Sequence, residues 1–507
     1  MLKLILGTFF VGVCILVQVK AEITMPVAFG NGMVLQRDMP VRIFGQASDG
    51  AYITVRFNGQ EKTVTAQNRE WMLSLDAMSA GGPYELTISG DGTAITYTDV
   101  MVGEVWVAGG QSNMNFELAW STNFEADLPS TENPNLRFMK IPVTEFGEID
   151  RVGLVWKNFD PQSVREFSAV SYYFATELQK RLGVTVGIIG SYRGATWNEN
   201  WMTRESIESE PALQYLLDDY ETEYAKFEDE AAYEAAYQQF LIDLQEWEDN
   251  GGWSSGARPM APMGPKAYQR PSGLYECMIK PLQPYTIKGC IWYQGEGNAG
   301  RYDEFMTLFP AFIKGWRDTW QLPDLPFYFV QLPGYGEGQT WPQFRQAQFE
   351  CWKRLDHCGM VVAEGAGDEA DIHPKVKKPI GERLAIAVSA GVYGQNHIPY
   401  GPAYKSVEFQ NGKATIFFDY SGSGLVLNKE NSSSFEIAGE DKVFKEAQTT
   451  INGSELILWN DAIGDPKYVR YAYSPFPEMV LFNQEGLPAS PFTILVGSSH
   501  VNSAGEL

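Results

Sequence analysis

Gly103-Glu104-Val105-Trp106-Val107-Ala108-Gly109-Gly110-Gln111-Ser112-Asn113-Met114 is an apolar run that ends in two glycines and a serine. Glu104 to Ala108 predicts a buried strand, because a short apolar run bounded by turn residues suits a strand covered on both faces. The glycines permit a tight turn. A serine at the C-terminal end of such a strand stands where open α/β sheets hold their ligands. Its hydroxyl becomes a nucleophile once a neighbouring base removes the proton. The motif lacks the Gly-x-Ser-x-Gly elbow, so this reading needs support from the rest of the chain.

Downstream, strand and helix patterns alternate. Ala169 to Leu182 predicts a helix and Val184 to Ile189 a strand. Ile287 to Tyr293 and Phe327 to Leu332 predict strands, and Gly381 to Ala390 a helix starting near Pro379. Such alternation predicts a mainly parallel sheet with helices on both faces. Residues 205–249 interrupt it with 15 acidic residues and one lysine, Lys226. Tyr215, Tyr220, Tyr224, Phe227, Phe240 and Leu244 recur there at roughly helical spacing, which predicts an amphipathic helical insertion rather than a disordered acidic tract. Upstream, short β-prone runs such as Val41–Phe44, Tyr52–Phe57 and Tyr84–Ile88 alternate with turn chemistry such as Asn58-Gly59 and Gly90-Asp91-Gly92. These predict an N-terminal β-sandwich over 22–103. After an α/β domain at 104–395, carrying the insertion at about 205–270, the strand-like text of 396–507 predicts a second β-domain.

The 507 residues carry 63 acidic against 39 basic side chains, a formal charge of −24, and are 44% hydrophobic. That composition is globular, and its acidity argues against nucleic-acid binding and against basic lipid-binding surfaces. Met1 to Ala21 has the positive start, apolar run and small residues of a signal peptide cut after about Ala21, which predicts a secreted or periplasmic protein with no membrane span in the mature chain. Beyond Cys14 stand Cys277, Cys290, Cys351 and Cys358, which either pair in one of three ways or remain as free buried thiols. No CxxC spacing points to metal or redox chemistry, and no metal or cofactor is expected.

Only His357, His373, His397 and His500 are available as a base. His373 lies in Gly367-Asp368-Glu369-Ala370-Asp371-Ile372-His373-Pro374, after a strand and before a helix, with two aspartates able to orient an imidazole. Ser191-Tyr192-Arg193-Gly194-Ala195-Thr196 and Trp292-Tyr293-Gln294-Gly295-Glu296-Gly297-Asn298-Ala299 likewise follow predicted strands. The first offers backbone N–H groups and the second an amide, Asn298, for a developing oxyanion. Glu296 reads equally as a carboxylate holding its own loop.

These pieces, with Gly32-Met33-Val34-Leu35-Gln36-Arg37, Gly81-Gly82-Pro83-Tyr84, Phe167-Ser168-Ala169-Val170 and Gly486-Leu487-Pro488-Ala489-Ser490-Pro491-Phe492, form an ordered series over nearly the whole chain. The series resembles the sialate O-acetylesterase family, within the SGNH-hydrolase group of serine esterases. The resemblance implies an SGNH-type (flavodoxin-like) three-layer α/β/α catalytic domain flanked by small all-β domains. It implies Ser112 as nucleophile and His373 as general base, with the Ser112 N–H, the Gly194 N–H and the Asn298 side chain as oxyanion hole. Three motifs depart from the family pattern. Arg193-Gly194-Ala195-Thr196 replaces Trp-Gly-Gly-Thr, Gly297 replaces a serine, and Ala370 occupies the position of the superfamily's acid. Asp371, Asp368 or a backbone carbonyl must then orient His373, with Asp371 the first choice.

The expected reaction is hydrolysis of an O-acetylated sugar through an acyl-enzyme, on O-acetylated sialic acid or, alternatively, on acetylated xylan or other plant oligosaccharides. Gln111, Arg193, Trp197, Gln294 and Glu296 are the expected substrate contacts, Arg193 by pairing with a sugar carboxylate. Trp197, Trp201, Trp253, Trp292 and Tyr293 are candidate stacking faces. Readings from other classes are a non-catalytic carbohydrate-binding protein and a glycosidase built on Glu296.

Overall fold

The computed structural model describes residues 22–495 apart from 364, 430 and 431. The expected signal peptide and His500 therefore lie outside the described residues, as does the side chain of Trp253. The strands of the central sheet are numbered here in chain order: β1 (Thr93–Gly110), β2 (Asn133–Lys140), β3 (Lys157–Phe159), β4 (Val186–Tyr192), β5 (Gly289–Tyr293), β6 (Phe327–Gln331) and β7 (Cys358–Val362). They run in the spatial order β7-β6-β5-β1-β4-β2-β3. Every neighbouring pair is parallel except β2 with β3. Leaving aside β2 and β3 at one end of the sheet, the other five strands follow the doubly wound order 2-1-3-4-5.

β1 is the longest of these strands, at 18 residues. Its second half is buried on both faces between β4 and β5, which explains the unbroken apolar text of Val105 to Ala108. Its first half pairs with Gly81–Gly90, and Val34–Gln36 lies parallel beside it. The expected boundary at 103/104 thus falls inside one continuous strand. Val41–Gln46 and Glu70–Leu75 form a separate two-stranded sheet. Two sequence motifs meet across this join: Glu104 accepts from Gln36 Nε2 at 2.9 Å and from Arg37 Nε at 2.5 Å.

The helices are α1 (Ala169–Leu182), α2 (Tyr215–Tyr224), α3 (Glu230–Asp249), α4 (Phe305–Trp320), α5 (Trp341–Arg354) and α6 (Lys378–Gly391). α1 begins where the Ser168 hydroxyl accepts from Ser171 N and ends at Gly183 in the left-handed conformation, φ 69°. Side chains alternate across a strand, so Trp106 and Gly109 face opposite sides of the sheet. Trp106 packs on Phe174 of α1 at 5.5 Å. Trp292, opposite Gly109 in register, packs on Phe312 and Trp316 of α4 at 4.8 and 5.7 Å. α1 and α4 therefore cover opposite faces, and each has a helical neighbour, α6 and α5 respectively.

The acidic segment is helical, as its periodicity predicts: Tyr237, Phe240 and Leu244 of α3 form a small apolar cluster with Ala261, Met263 and Ala267, while Leu216 and Leu217 of α2 join the main core. The last hundred residues form two four-stranded sheets and a two-stranded one. Cys277, Cys290, Cys351 and Cys358 are all free thiols, and burial pushes the Cys290 and Cys351 thiols up, which makes them poor nucleophiles. Among the described residues no helix is long and apolar enough to cross a membrane.

α1 and α6 approach closely at Gly381, where a Cβ would stand 2.6 Å from the Val170 carbonyl oxygen and from Tyr173 Cβ. Gly381→Ala should force the helices apart and cost about 1–3 kcal/mol. A denaturation midpoint equal to the parent's would show that the pair tolerates the separation.

Candidate active site

β1, β4 and β5 end in register, with Gly110 opposite Tyr192 on one side and Tyr293 on the other. At Gly110 the strands leave no room for a side chain: a Cβ would lie 2.1 Å from the Tyr293 carbonyl oxygen, and φ is +135°. Gln111 N donates to that same carbonyl at 3.0 Å, and Arg193 N donates to the Gly110 carbonyl at 3.1 Å. Ser112 then opens a single helical turn, Ser112–Asn115, at the C-terminal edge of the sheet.

His373 reaches this edge from the loop after β7. Its Nε2 stands 2.8 Å from Ser112 Oγ, a hydrogen bond between residues 261 apart in the chain. Asp371 Oδ1 accepts from the His373 backbone N–H at 2.8 Å but lies 3.7 Å from Nδ1, beyond hydrogen-bond length. Asp371 thus holds the loop and faces the ring as a charge. Asp368 accepts from Ala370 N and Asp371 N, so it shapes the loop and makes no bond to the imidazole. Burial lowers the His373 pKa below its ordinary 6.5, Asp371 opposes that and Lys377 adds to it. The imidazole is consequently neutral at pH 7, and Nε2 can accept from the Ser112 hydroxyl when Nδ1 carries the hydrogen.

Gly194 lies against the serine, where a Cβ on it would be 3.4 Å from Ser112 Cβ and 4.0 Å from Ser112 N. Neither the Ser112 N–H nor the Gly194 N–H has a protein acceptor among the described residues. Ala195 keeps φ +54°, so the position where the family has its second glycine retains the left-handed backbone with an alanine in it. Asn298 is fully buried; its Oδ1 accepts from Asn198 N and Gln294 Nε2 at 2.9 and 2.7 Å, and Nδ2 donates to Glu199 at 3.0 Å. One amide hydrogen of Asn298 remains unassigned among the described residues.

The expected substrate contacts separate into two groups. Gln111 and Gln294 are buried and tie loops together: the Gln111 amide nitrogen donates to Glu296 Oε2 and the Thr196 carbonyl, both at 3.2 Å, and Gln294 Nε2 donates to the Thr196 carbonyl as well as to Asn298. Glu296 also accepts from Asn113 Nδ2 at 2.5 Å, and burial raises its pKa. Arg193 is held by partners of its own. Its guanidinium lies over the Tyr268 ring, 3.2 Å from the centroid, donates to the Gly194 carbonyl, and binds Glu145 Oε1 through Nε at 3.1 Å and Nη2 at 2.5 Å. Its side chain is 9% exposed and is held by these partners inside the protein.

The aromatic residues also fall differently. Trp201, Trp292 and Tyr293 are core, Trp201 meeting Trp292 edge-on at 5.8 Å, because their strand and helix partners enclose them. Only Trp197 of the described set lines a groove, with Tyr215, Tyr220, Asp219 and Glu223 of α2, Met260 and Arg301. The acidic insertion therefore forms one wall of the groove beside Trp197.

Three participants escaped the sequence reading. Glu145 neutralises Arg193, Glu199 joins Asn298 to Arg301, and Lys377, fully buried, donates to Asn113 Oδ1 at 2.6 Å. Asn113 stood in the quoted motif beside Ser112. Lys377 carried no signal beyond its place four residues after His373.

A family model described as "Carbohydrate esterase, sialic acid-specific acetylesterase" matches residues 256–390. The sialate O-acetylesterase of Rattus norvegicus is 28% identical, over 91% of this chain and 92% of its own length. That of Homo sapiens is 26% identical, over 94% of each. The crystal structure of a carbohydrate acetylesterase from Xanthomonas citri is 33% identical with a TM-score of 0.77, covering 94% of this chain and all of the other.

Arg193→Met would leave the partly buried Glu145 carboxylate with Arg258 Nη2, 3.9 Å away, as its remaining cation. The expected cost is about 1–3 kcal/mol, read as a lowered urea midpoint. A midpoint matching the parent's would mean that the guanidinium is not held as described.

Proposed function

The chain belongs to the sialate O-acetylesterase family of carbohydrate esterases and is a carboxylic ester hydrolase, and from that premise we propose that it removes O-acetyl groups from sugars by a serine acyl-enzyme mechanism. The observation that carries this reading is the 2.8 Å contact between Ser112 Oγ and His373 Nε2 beside two unengaged backbone N–H groups. His373 takes the Ser112 proton as the oxygen attacks the acetyl carbonyl. The negative charge moves onto the carbonyl oxygen, which the N–H groups of Ser112 and Gly194 and the free hydrogen of Asn298 Nδ2 stabilise; each such donor contributes about 3 kcal/mol to the transition state. The tetrahedral intermediate collapses, His373 returns the proton to the sugar alkoxide, and the sugar alcohol leaves. Water, deprotonated by His373, attacks the acetyl-serine and releases acetate. Asp371 stabilises the transient imidazolium by its charge at 3.7 Å rather than by a hydrogen bond.

The same reading makes the central layers an SGNH-type, flavodoxin-like three-layer domain at 104–395, flanked by β-domains at 22–103 and 396–507, in a secreted or periplasmic protein. The doubly wound strand order supports the fold assignment, and the signal-peptide pattern of 1–21 supports the location.

O-acetylated sialic acid is the first candidate substrate, on the strength of the family. One observation favours the second, a neutral acetylated oligosaccharide such as acetylated xylan: the arginine expected to receive a sialic acid carboxylate is already paired with Glu145. Acetate release from O-acetyl sialic acid measured against acetylated xylo-oligosaccharides separates the two.

Ser112→Ala should lower turnover of an aryl acetate by roughly three orders of magnitude or more while the protein stays folded. Retained wild-type turnover by the purified variant would sink the scheme. Because burial lowers the His373 pKa and the base must be neutral, kcat/KM should fall on the acid side with a midpoint below 6.5, and stay high as the pH rises past it. A midpoint above 6.5 would contradict the assignment.

A further inference from the structure

Lys377 is 0% exposed, as is Asn113, the residue it touches. Its ammonium donates to Asn113 Oδ1 at 2.6 Å and lies over the rings of Phe116 and Tyr293, at 4.7 and 5.6 Å from their centroids. A charged ammonium has donors only, so in that form this contact admits one orientation of the Asn113 amide. The opposite end, Nδ2, is thereby directed at two acceptors: Glu296 Oε1 at 2.5 Å and the carbonyl of Ile372 at 3.0 Å. Ile372 immediately precedes His373, and Asn113 immediately follows Ser112. One buried lysine thus sets, through a single amide, the relative placement of nucleophile and base.

Burying an ammonium is costly, and an apolar residue of similar volume in such a place is often neutral or stabilising. Stability alone therefore does not account for a lysine here. We propose that Lys377 is a positioning residue for the Ser112–His373 pair, locking the Asn113 amide against the His373 loop and presenting its positive charge to the base. The titratable groups facing it are His373 and Asp371 from its own segment, Glu296 from the loop after β5, and Tyr293 at the end of β5, whose ring it overlies. The Ser112–Asn115 turn brings only the Ser112 hydroxyl and the Asn113 amide. Burial brings the Lys377 pKa down to about 7, opposed by Glu296 and Asp371, so its charge itself varies near neutrality. A positive neighbour disfavours imidazolium; while Lys377 is charged, His373 loses its proton at a lower pH than it otherwise would.

The inference rests on reading His373 as the base, and Ser112→Ala tests that reading separately. For Lys377, kcat/KM for an aryl acetate is measured against pH in Lys377→Met and Lys377→Arg, with thermal midpoints alongside. Lys377→Met should lose activity about tenfold or more and move the acid-side midpoint upward by about half a pH unit or more, because the like charge is gone. Lys377→Arg should also lose activity, since its longer fork misplaces Asn113, yet keep the acid-side midpoint of the parent. Lost activity with an unmoved midpoint in the methionine variant, or a midpoint shifted equally in both, would overturn the proposal. Should the methionine variant fail to fold, the arginine variant decides: a midpoint displaced from the parent's would overturn it, and an undisplaced one supports it.

Discussion

β1 and β5 touch at Gly110 with no space for a side chain, and the arrangement of the candidate active-site edge depends on that contact. The Tyr293 carbonyl, 2.1 Å from where a Cβ would be, also receives the Gln111 N–H, so the chain must turn at once into the Ser112 helical turn. The Gly110 carbonyl in turn receives Arg193 N, which brings the loop after β4 to the same spot. A doubly wound sheet opens a crevice at the C-terminal ends of its inner strands. The Gly110 contact decides that the serine, rather than the bulk of Trp292 or Tyr293, faces that crevice.

Around this contact the strand-end loops are joined chiefly by buried amides. Asn113, Gln111, Gln294, Asn298 and Asn200 each bridge two or more segments, and a carboxamide suits this because it donates at one end and accepts at the other. A buried polar atom left without a partner costs about 1–3 kcal/mol, so such a network holds its geometry strongly once complete. Charge enters at only a few places: Glu145 with Arg193, Glu199 with Arg301, and Lys377 across Asn113 from Glu296. These set the electrostatics of an otherwise neutral interior next to the dyad. On the outer side, the acidic insertion contributes Asp219 and Glu223 to the groove beside Trp197. The high negative charge of the chain is thus partly a property of one wall of that groove.

The resemblance to the family rested on local text that the fold uses directly. The apolar run at Val105–Ala108 is buried on both faces, α1 spans Ala169–Leu182, and Ser112 and His373 meet. What misled was side-chain direction and partnership. Arg193 was open to a substrate carboxylate or to an ion pair, and Glu145, 48 residues away, gives no sign in sequence of being its partner. Trp292 and Tyr293 read as candidate sugar platforms because they border a site loop, yet they end a strand whose two faces are covered by α1 and α4. Asp371 read as the orienter of His373, and its carboxylate accepts from the His373 backbone N–H while facing Nδ1 at 3.7 Å, an arrangement that spacing does not reveal.

By itself the sequence determined the alternating α/β pattern, the helical nature of the acidic insertion and which serine and histidine stand at strand ends, because periodicity, turn glycines and a scarcity of histidines are local properties written along the chain. Only the tertiary structure decided that the cysteines are free, that Arg193 is consumed by Glu145, that Asn298 leans on Glu199, and that Lys377 stands behind the dyad. Each of those depends on which distant side chain fills the neighbouring space and completes the hydrogen bonds of a buried group, and that is settled by packing between strands, not by spacing within one.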